Sequence, residues 1–128
     1  LKLMCRGESV KQYDVALGRG GLDPKEREGD HKTPEGSYTI EKKLAQSRFH
    51  LALLISYPNT ADRERAAKLG VRPGSAIEIH GLANGLGWLG SLHRVTDWTD
   101  GCIAVTNSEI EEIWKLVPVG TPVEIRAQ

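Results

Sequence analysis

The chain has 128 residues, about one domain's worth, and its 17 Lys+Arg balance 17 Asp+Glu at a net charge of zero. That balance argues against the basic surface a nucleic-acid binder needs, and the longest apolar run, Leu51–Ile55, falls far short of the ~20 residues of a membrane span. Two cysteines are too few for a disulfide scaffold, while 39% hydrophobic residues suffice for one core. The 14 glycines and 6 prolines, with only seven aromatics, indicate a domain rich in turns and strands.

No signal peptide is visible before Leu1-Lys2-Leu3-Met4-Cys5, so the expectation is a processed chain or a trimmed domain. These five residues alternate like a strand, and Gly7-Glu8 turns them toward a second strand over Val10–Leu17. Gly18 to Gly36 carries five glycines and two prolines and reads as a long loop of the kind that carries function. Ser37–Glu41 is a short strand, and Leu51–Tyr57 a buried one ending at Pro58. Asn59 or Thr60 caps a helix through Ala61–Leu69, closed by Gly70. Ala76–His80 alternates as a strand, Gly81 to Gly101 is a second glycine-rich loop, and Ile103–Val105 is a short apolar piece. Thr106 and Glu109 form a capping box. Ile110, Ile113, Trp114 and Val117 then line one helix face, and Thr121–Arg126 is the last strand. About seven strands and two helices, not regularly alternating, predict a mainly β sandwich or barrel with mixed sheets. No linker divides the chain, and no phosphate-loop pattern occurs.

The chemistry concentrates at Thr99-Asp100-Gly101-Cys102-Ile103. A cysteine after a glycine, where a long loop meets a strand, can face a substrate, and the glycine lets backbone N–H groups converge on an oxyanion. A lone cysteine is more often an inert buried residue, so partners decide the reading. His80 ends a strand beside Gly81 and brackets the same loop, which is where a base for a cysteine nucleophile belongs. His93, within the loop, is a competing base. His31 and His50 sit in polar contexts and are expected to face solvent, and Cys5 reads as a small buried hydrophobe. His80, His93, Asp97, Asp100 and Cys102 are ligand types without metal-ligand spacing, so neither metal nor cofactor is expected. A carboxylate at Asp100 would raise the thiol pKa unless it turns to solvent or a loop amide.

Ile79-His80-Gly81 with Thr99-Asp100-Gly101-Cys102-Ile103 resembles the signature of the L,D-transpeptidase (YkuD) catalytic domain. Gly29-Asp30-His31-Lys32-Thr33-Pro34-Glu35-Gly36-Ser37-Tyr38 is similar to that family's upstream loop, and Asn107 through Ile125, with Val117-Pro118 and Gly120-Thr121-Pro122-Val123, to its closing helix–strand unit. The resemblance covers nearly the whole chain and implies one catalytic domain over 1–128. It implies a cysteine acyl-transfer enzyme of the bacterial periplasm or cell envelope, monomeric, with peptidoglycan stem peptides as donor and acceptor.

Carried over residue by residue, Cys102 is the nucleophile, His80 the base and the Gly81 carbonyl the group orienting the imidazole. The Gly101 and Cys102 amides match the oxyanion hole, and Thr99 the hydroxyl residue of the motif. Many members have a non-acidic residue at the position of Asp100. The spacing of 22 from His80 to Cys102 is also longer than the family's shortest, and the added loop brings Trp88, His93 and Arg94 as candidate substrate contacts. Hydrolysis by the same acyl-enzyme and a non-catalytic wall-binding module are the competing readings.

Overall fold

In the computed structural model, which describes residues 1–126, β1 (Lys2–Cys5) and β2 (Glu8–Gln12) pair as a hairpin that forms a sheet of its own. The remaining strands are β3 (Gly36–Ser47), β4 (His50–Ile55), β5 (Glu78–His80), β6 (Ile103–Ala104) and β7 (Pro122–Ile125). They make one sheet in the order β6-β5-β4-β3-β7, antiparallel throughout except for the parallel β5–β6 pair. Helix α1 (Thr60–Leu69) follows β4 and helix α2 (Asn107–Leu116) follows β6, while Gly87–Val95 forms 3-10 turns on either side of a break at Gly90. The chain adopts the mainly β, mixed-sheet architecture expected of it.

Period-two alternation sorts the sheet's residues. Tyr38, Ile40, Leu53, Ile55, Ile79 and Ile103 enter the core together with Ile110, Ile113 and Val117, which the 3.6-residue period of α2 brings to one face. Both helices begin with reciprocal caps. Asn59 and Asp62 close the first, and Thr106 and Glu109 the second, so the choice between Asn59 and Thr60 falls to Asn59. The buried Asp62 carboxylate also takes hydrogen bonds from Tyr38 Oη and Arg65 Nη2, each at 2.7 Å, tying α1 to β3.

Three elements differ from the sequence expectation, each for a physical reason. Strand β3 runs on to Ser47 because it pairs along its first half with β7 and along its second half with β4. Its polar Lys42, Lys43 and Gln46 hide that continuation from a hydrophobicity pattern. Strand β2 stops at Gln12, and Ala16 instead exchanges two hydrogen bonds with Ala104 of β6, at 2.9 and 2.8 Å. Cys5 is exposed, not buried, because every residue of its partner strand β2 stands in solvent.

The segment between β2 and β3 is long but anchored. Asp30 Oδ1 meets Lys25 Nζ at 2.8 Å, and its two oxygens accept the amides of Glu26, Arg27 and Lys32. Burial pushes the Asp30 pKa up, but these four donors outweigh it and hold the group at about 2. Lys25 is 4% exposed, so removing its partner leaves a buried charge uncompensated. Asp30→Asn is expected to cost about 3 kcal/mol in urea unfolding at pH 7. Because the folded pKa is depressed, this contribution is complete above the unfolded value and is lost as pH falls from about 4 toward 2. The difference between wild type and variant should therefore shrink between pH 4 and 2, and a constant difference would refute the assignment.

Candidate active site

The parallel β5–β6 register pairs Ile79 with Ile103 and His80 with Ala104. Alternation then sends Ile79 and Ile103 to the core and places Glu78, His80, Ala104 and Cys102 on the opposite face. The strand-end histidine and the cysteine across the 81–101 loop are therefore brought to the same face of neighbouring strands. Small buried side chains surround them: Ala16, Ala52 and Ala104 are fully buried, with Ala52 paired to His80 on the β4 side.

The His80 imidazole is 1% exposed and stacks on Phe49 at 4.3 Å between ring centroids, with Trp98 tilted against it at 5.9 Å. Its Nδ1 lies 2.6 Å from the Gly81 carbonyl oxygen, which acts as an acceptor and so assigns the Nδ1–H tautomer, leaving Nε2 with a lone pair. Burial lowers the His80 pKa. The Gly81 bond opposes the shift and nearby His93 adds to it. At neutral pH the imidazole is uncharged and able to accept a proton.

The Cys102 thiol is partly exposed. Its Sγ accepts the Glu78 amide at 3.4 Å and lies 3.7 Å from the Ala76 carbonyl, so the resting sulfur is bonded to the β5 edge. It opens into a cavity of about 260 Å³ whose wall includes Lys25, His31, Ser75, Ala76 and Asp100. Burial raises the thiol pKa to about 11. The Glu78 amide opposes this, while the Glu78 and Asp100 carboxylates add to it. Thiol and imidazole are thus both neutral at pH 7, in contrast to a preformed thiolate–imidazolium pair.

Thr99 and Gly101 shape the turn that presents the sulfur. The buried Thr99 hydroxyl donates to the Cys102 carbonyl at 2.6 Å and accepts the Gly101 amide at 3.2 Å. Gly101 holds φ at 129°, and a Cβ there would lie 2.7 Å from the Lys32 carbonyl oxygen, so a side chain is excluded twice. The Gly101 amide, expected to serve an oxyanion hole, donates to Thr99 in the resting structure.

The three loop residues named as candidate substrate contacts have their own surroundings in the fold. Arg94 Nη1 pairs with Glu109 Oε1 at 3.2 Å, inside the cap of α2. His93 is 6% exposed, accepts Trp98 Nε1–H on Nδ1 at 3.2 Å, and leaves its Nε2 without a partner. Trp88 is 76% exposed. None of these three lines the Cys102 cavity.

Residues that sequence reading passed over do meet at the site. His31, expected in solvent, lines the cavity and reaches Asp100 Oδ1 at 3.2 Å, as Arg19 Nε does at 3.1 Å. The loop motif around Asp30 was the available signal for His31. Asn107 Oδ1 accepts the Leu82 amide at 2.9 Å and packs against Gly81, steadying the carbonyl that orients His80. Among the described residues, no group of three or more His, Cys, Asp or Glu is arranged to hold a metal ion, and no helix is long and apolar enough to cross a membrane.

Comparison with known proteins agrees along the chain's length. Residues 1–125 match the family model for the YkuD L,D-transpeptidase catalytic domain. The Escherichia coli (strain K12) protein YafK is 33% identical over 110 residues, which is 84% of this chain and 37% of YafK. The helical cell shape determining protein Pgp2 of Campylobacter jejuni, solved as a K307A mutant, superposes with a TM-score of 0.67 at 27% identity, over 95% of this chain and 42% of that one. Bd1075 of Bdellovibrio bacteriovorus gives 0.62 at 27% identity, over 93% and 39%. The chain therefore spans about two-fifths of the length of the relatives it matches. A His-Gly strand end and a Gly-Cys turn joined by parallel pairing, with a family match from residue 1 to 125, place the chain in the L,D-transpeptidase (YkuD) catalytic-domain family.

Proposed function

We propose that this domain is a cysteine acyltransferase acting on peptidoglycan stem peptides, with Cys102 as nucleophile and His80 as general base. The observation that carries the reading is the shared face that strand alternation gives His80 and Cys102 across the β5–β6 pairing, with Cys102 open to a cavity. His80 Nε2 takes the thiol proton while sulfur attacks the carbonyl of the amide between an L- and a D-centre, typically at diaminopimelate. Because the thiol pKa is raised and the imidazole is neutral, proton transfer accompanies attack and does not precede it. The thiol is bonded to the Glu78 amide at rest and must leave it to reach the imidazole.

In this reading the Cys102 amide serves as an oxyanion donor. Collapse of the tetrahedral intermediate breaks the C–N bond, and the His80 imidazolium protonates the departing D-alanine amine. The resulting thioester is attacked by a second amine, which gives its proton to His80 as the C–S bond breaks and sulfur recovers a proton. Gly81 acts here through its carbonyl and Thr99 through its hold on the Cys102 turn. Substrates on peptidoglycan place the working site in the bacterial periplasm or cell envelope.

A carbapenem should acylate Cys102. Intact-mass spectrometry is expected to show one adduct on the wild type and on Cys5→Ala and none on Cys102→Ala. Labelling that instead follows the exposed Cys5 would overturn the assignment. His80→Gln should lower kcat/KM by about 10²–10⁴-fold. In the wild type, kcat/KM should fall on the acid side with a midpoint below the ordinary histidine value of 6.5, because protonation removes the base and burial has lowered its pKa. A profile that stays flat down to pH 4 would argue against His80 in this role. Incubation with purified sacculi separates the outcomes of the thioester: new 3–3 cross-links establish transfer, whereas loss of cross-links without new ones establishes hydrolysis and contradicts the transferase reading.

A further inference from the structure

We propose that Arg19 and His31 form a carboxylate-binding subsite at the mouth of the Cys102 cavity, and that a free carboxylate on the substrate residue beside the scissile bond takes the place Asp100 holds at rest. The inference rests on the stem-peptide reading above and names the group of that substrate which is recognised. Two side chains from one loop converge on a single oxygen: Arg19 Nε donates to Asp100 Oδ1 at 3.1 Å, and His31 Nδ1 lies 3.2 Å from the same oxygen. Arg19 Nη2 sits 3.4 Å from His31 Nε2, so the two side chains stand together as one receptor. A guanidinium N–H aimed at a carboxylate oxygen, with an imidazole nitrogen beside it, makes a carboxylate site, and the acidic group found there is the chain's own.

Its position fits a substrate. Asp100 is two residues before the nucleophile, and His31, Asp100 and Cys102 line the same cavity. The contact is also easy to exchange. Arg19, His31 and Asp100 have side chains 56%, 39% and 76% exposed, and an ion pair so open to water contributes little to stability. The other charged groups at the cavity are engaged: Lys25 is held by the buried Asp30, and Glu28 faces Arg72 at 3.6 Å.

The loop is built to hold the two side chains in place. His31 has a φ of 55°, a left-handed conformation unfavourable for a side chain with a Cβ, and its carbonyl accepts the Gly20 amide at 2.8 Å. A Cβ on Gly18 or Gly20 would collide with the carbonyls of His31 or Asp30, so glycines flanking Arg19 let its backbone lie directly against that segment.

Binding to the full-length Cys102→Ala protein tests the subsite without requiring turnover. The probes are a synthetic stem tetrapeptide with free carboxylates, the same peptide amidated at its C-terminal D-alanine, and the same peptide amidated at the diaminopimelate. Adding Arg19→Gln should weaken binding of the free peptide about tenfold, while at least one amidated peptide, already weaker, loses less than twofold. That insensitive peptide identifies which carboxylate is bound. Adding Asp100→Asn should tighten the free peptide several-fold, an improvement that general damage to the fold cannot mimic. Absence of peptide binding, equal losses across all three peptides, or an Asp100→Asn protein that binds no better would each overturn the subsite. Failure of the acylation chemistry is read separately, from the Cys102 adduct.

Discussion

The parallel pairing of β5 with β6 is the constraint on which the site depends. Its register sends Ile79 and Ile103 into the core and their neighbours His80, Ala104 and Cys102 to the other face, so the hydrophobic core itself fixes which residues meet. A slip of one residue would drive the imidazole into hydrocarbon and expose two isoleucines. β6 is only two residues long and lies at the sheet edge, yet it is held on both sides: His80 accepts the Val105 amide at 3.0 Å, and Ala16 bonds Ala104 on the outer side. The segment after the N-terminal hairpin thus braces the strand that leads out of Cys102.

Burial around this pair has an electrostatic consequence. Desolvation raises the thiol's pKa and lowers the imidazole's, so both are neutral near pH 7 and neither carries a charge that the apolar surroundings would have to compensate. The Gly81 carbonyl fixes the imidazole tautomer, and the stacked Phe49 ring fixes its plane. Asp100, whose carboxylate adds to the rise of the thiol pKa, turns to Arg19 and His31.

Much of this was legible in the sequence because local chemistry decided it. The capping box at Thr106 and Glu109, the apolar stripe from Ile110 to Val117 and the Gly70 stop are short-range signals, and each element formed where its signal lay. Cys102, His80 and Gly81 stood out because residue type and neighbouring glycine together carry a chemical meaning. What the sequence withheld depends on contacts distant along the chain. The polar half of β3 is a strand only because β4 pairs with it, and Ala16 finds Ala104 across 88 positions. Arg94 is equally plausible in a sequence as a solvated group or a ligand for substrate, and its capture by Glu109 exists only in the folded chain. Arg19 carries no local sign of its proximity to Asp100, because that approach is created by the backbone pairing of Gly18 and Arg19 with Thr99.

The most direct measurement is a crystal structure of the domain trapped with a stem peptide during acyl transfer. The account predicts a thioester on Cys102 Sγ, its carbonyl oxygen accepting the Cys102 amide, and His80 Nε2 within hydrogen-bonding reach of the sulfur with Nδ1 still on the Gly81 carbonyl. An acyl group on any other residue, or a Cys102 thioester with the His80 imidazole out of reach of the sulfur, would contradict it.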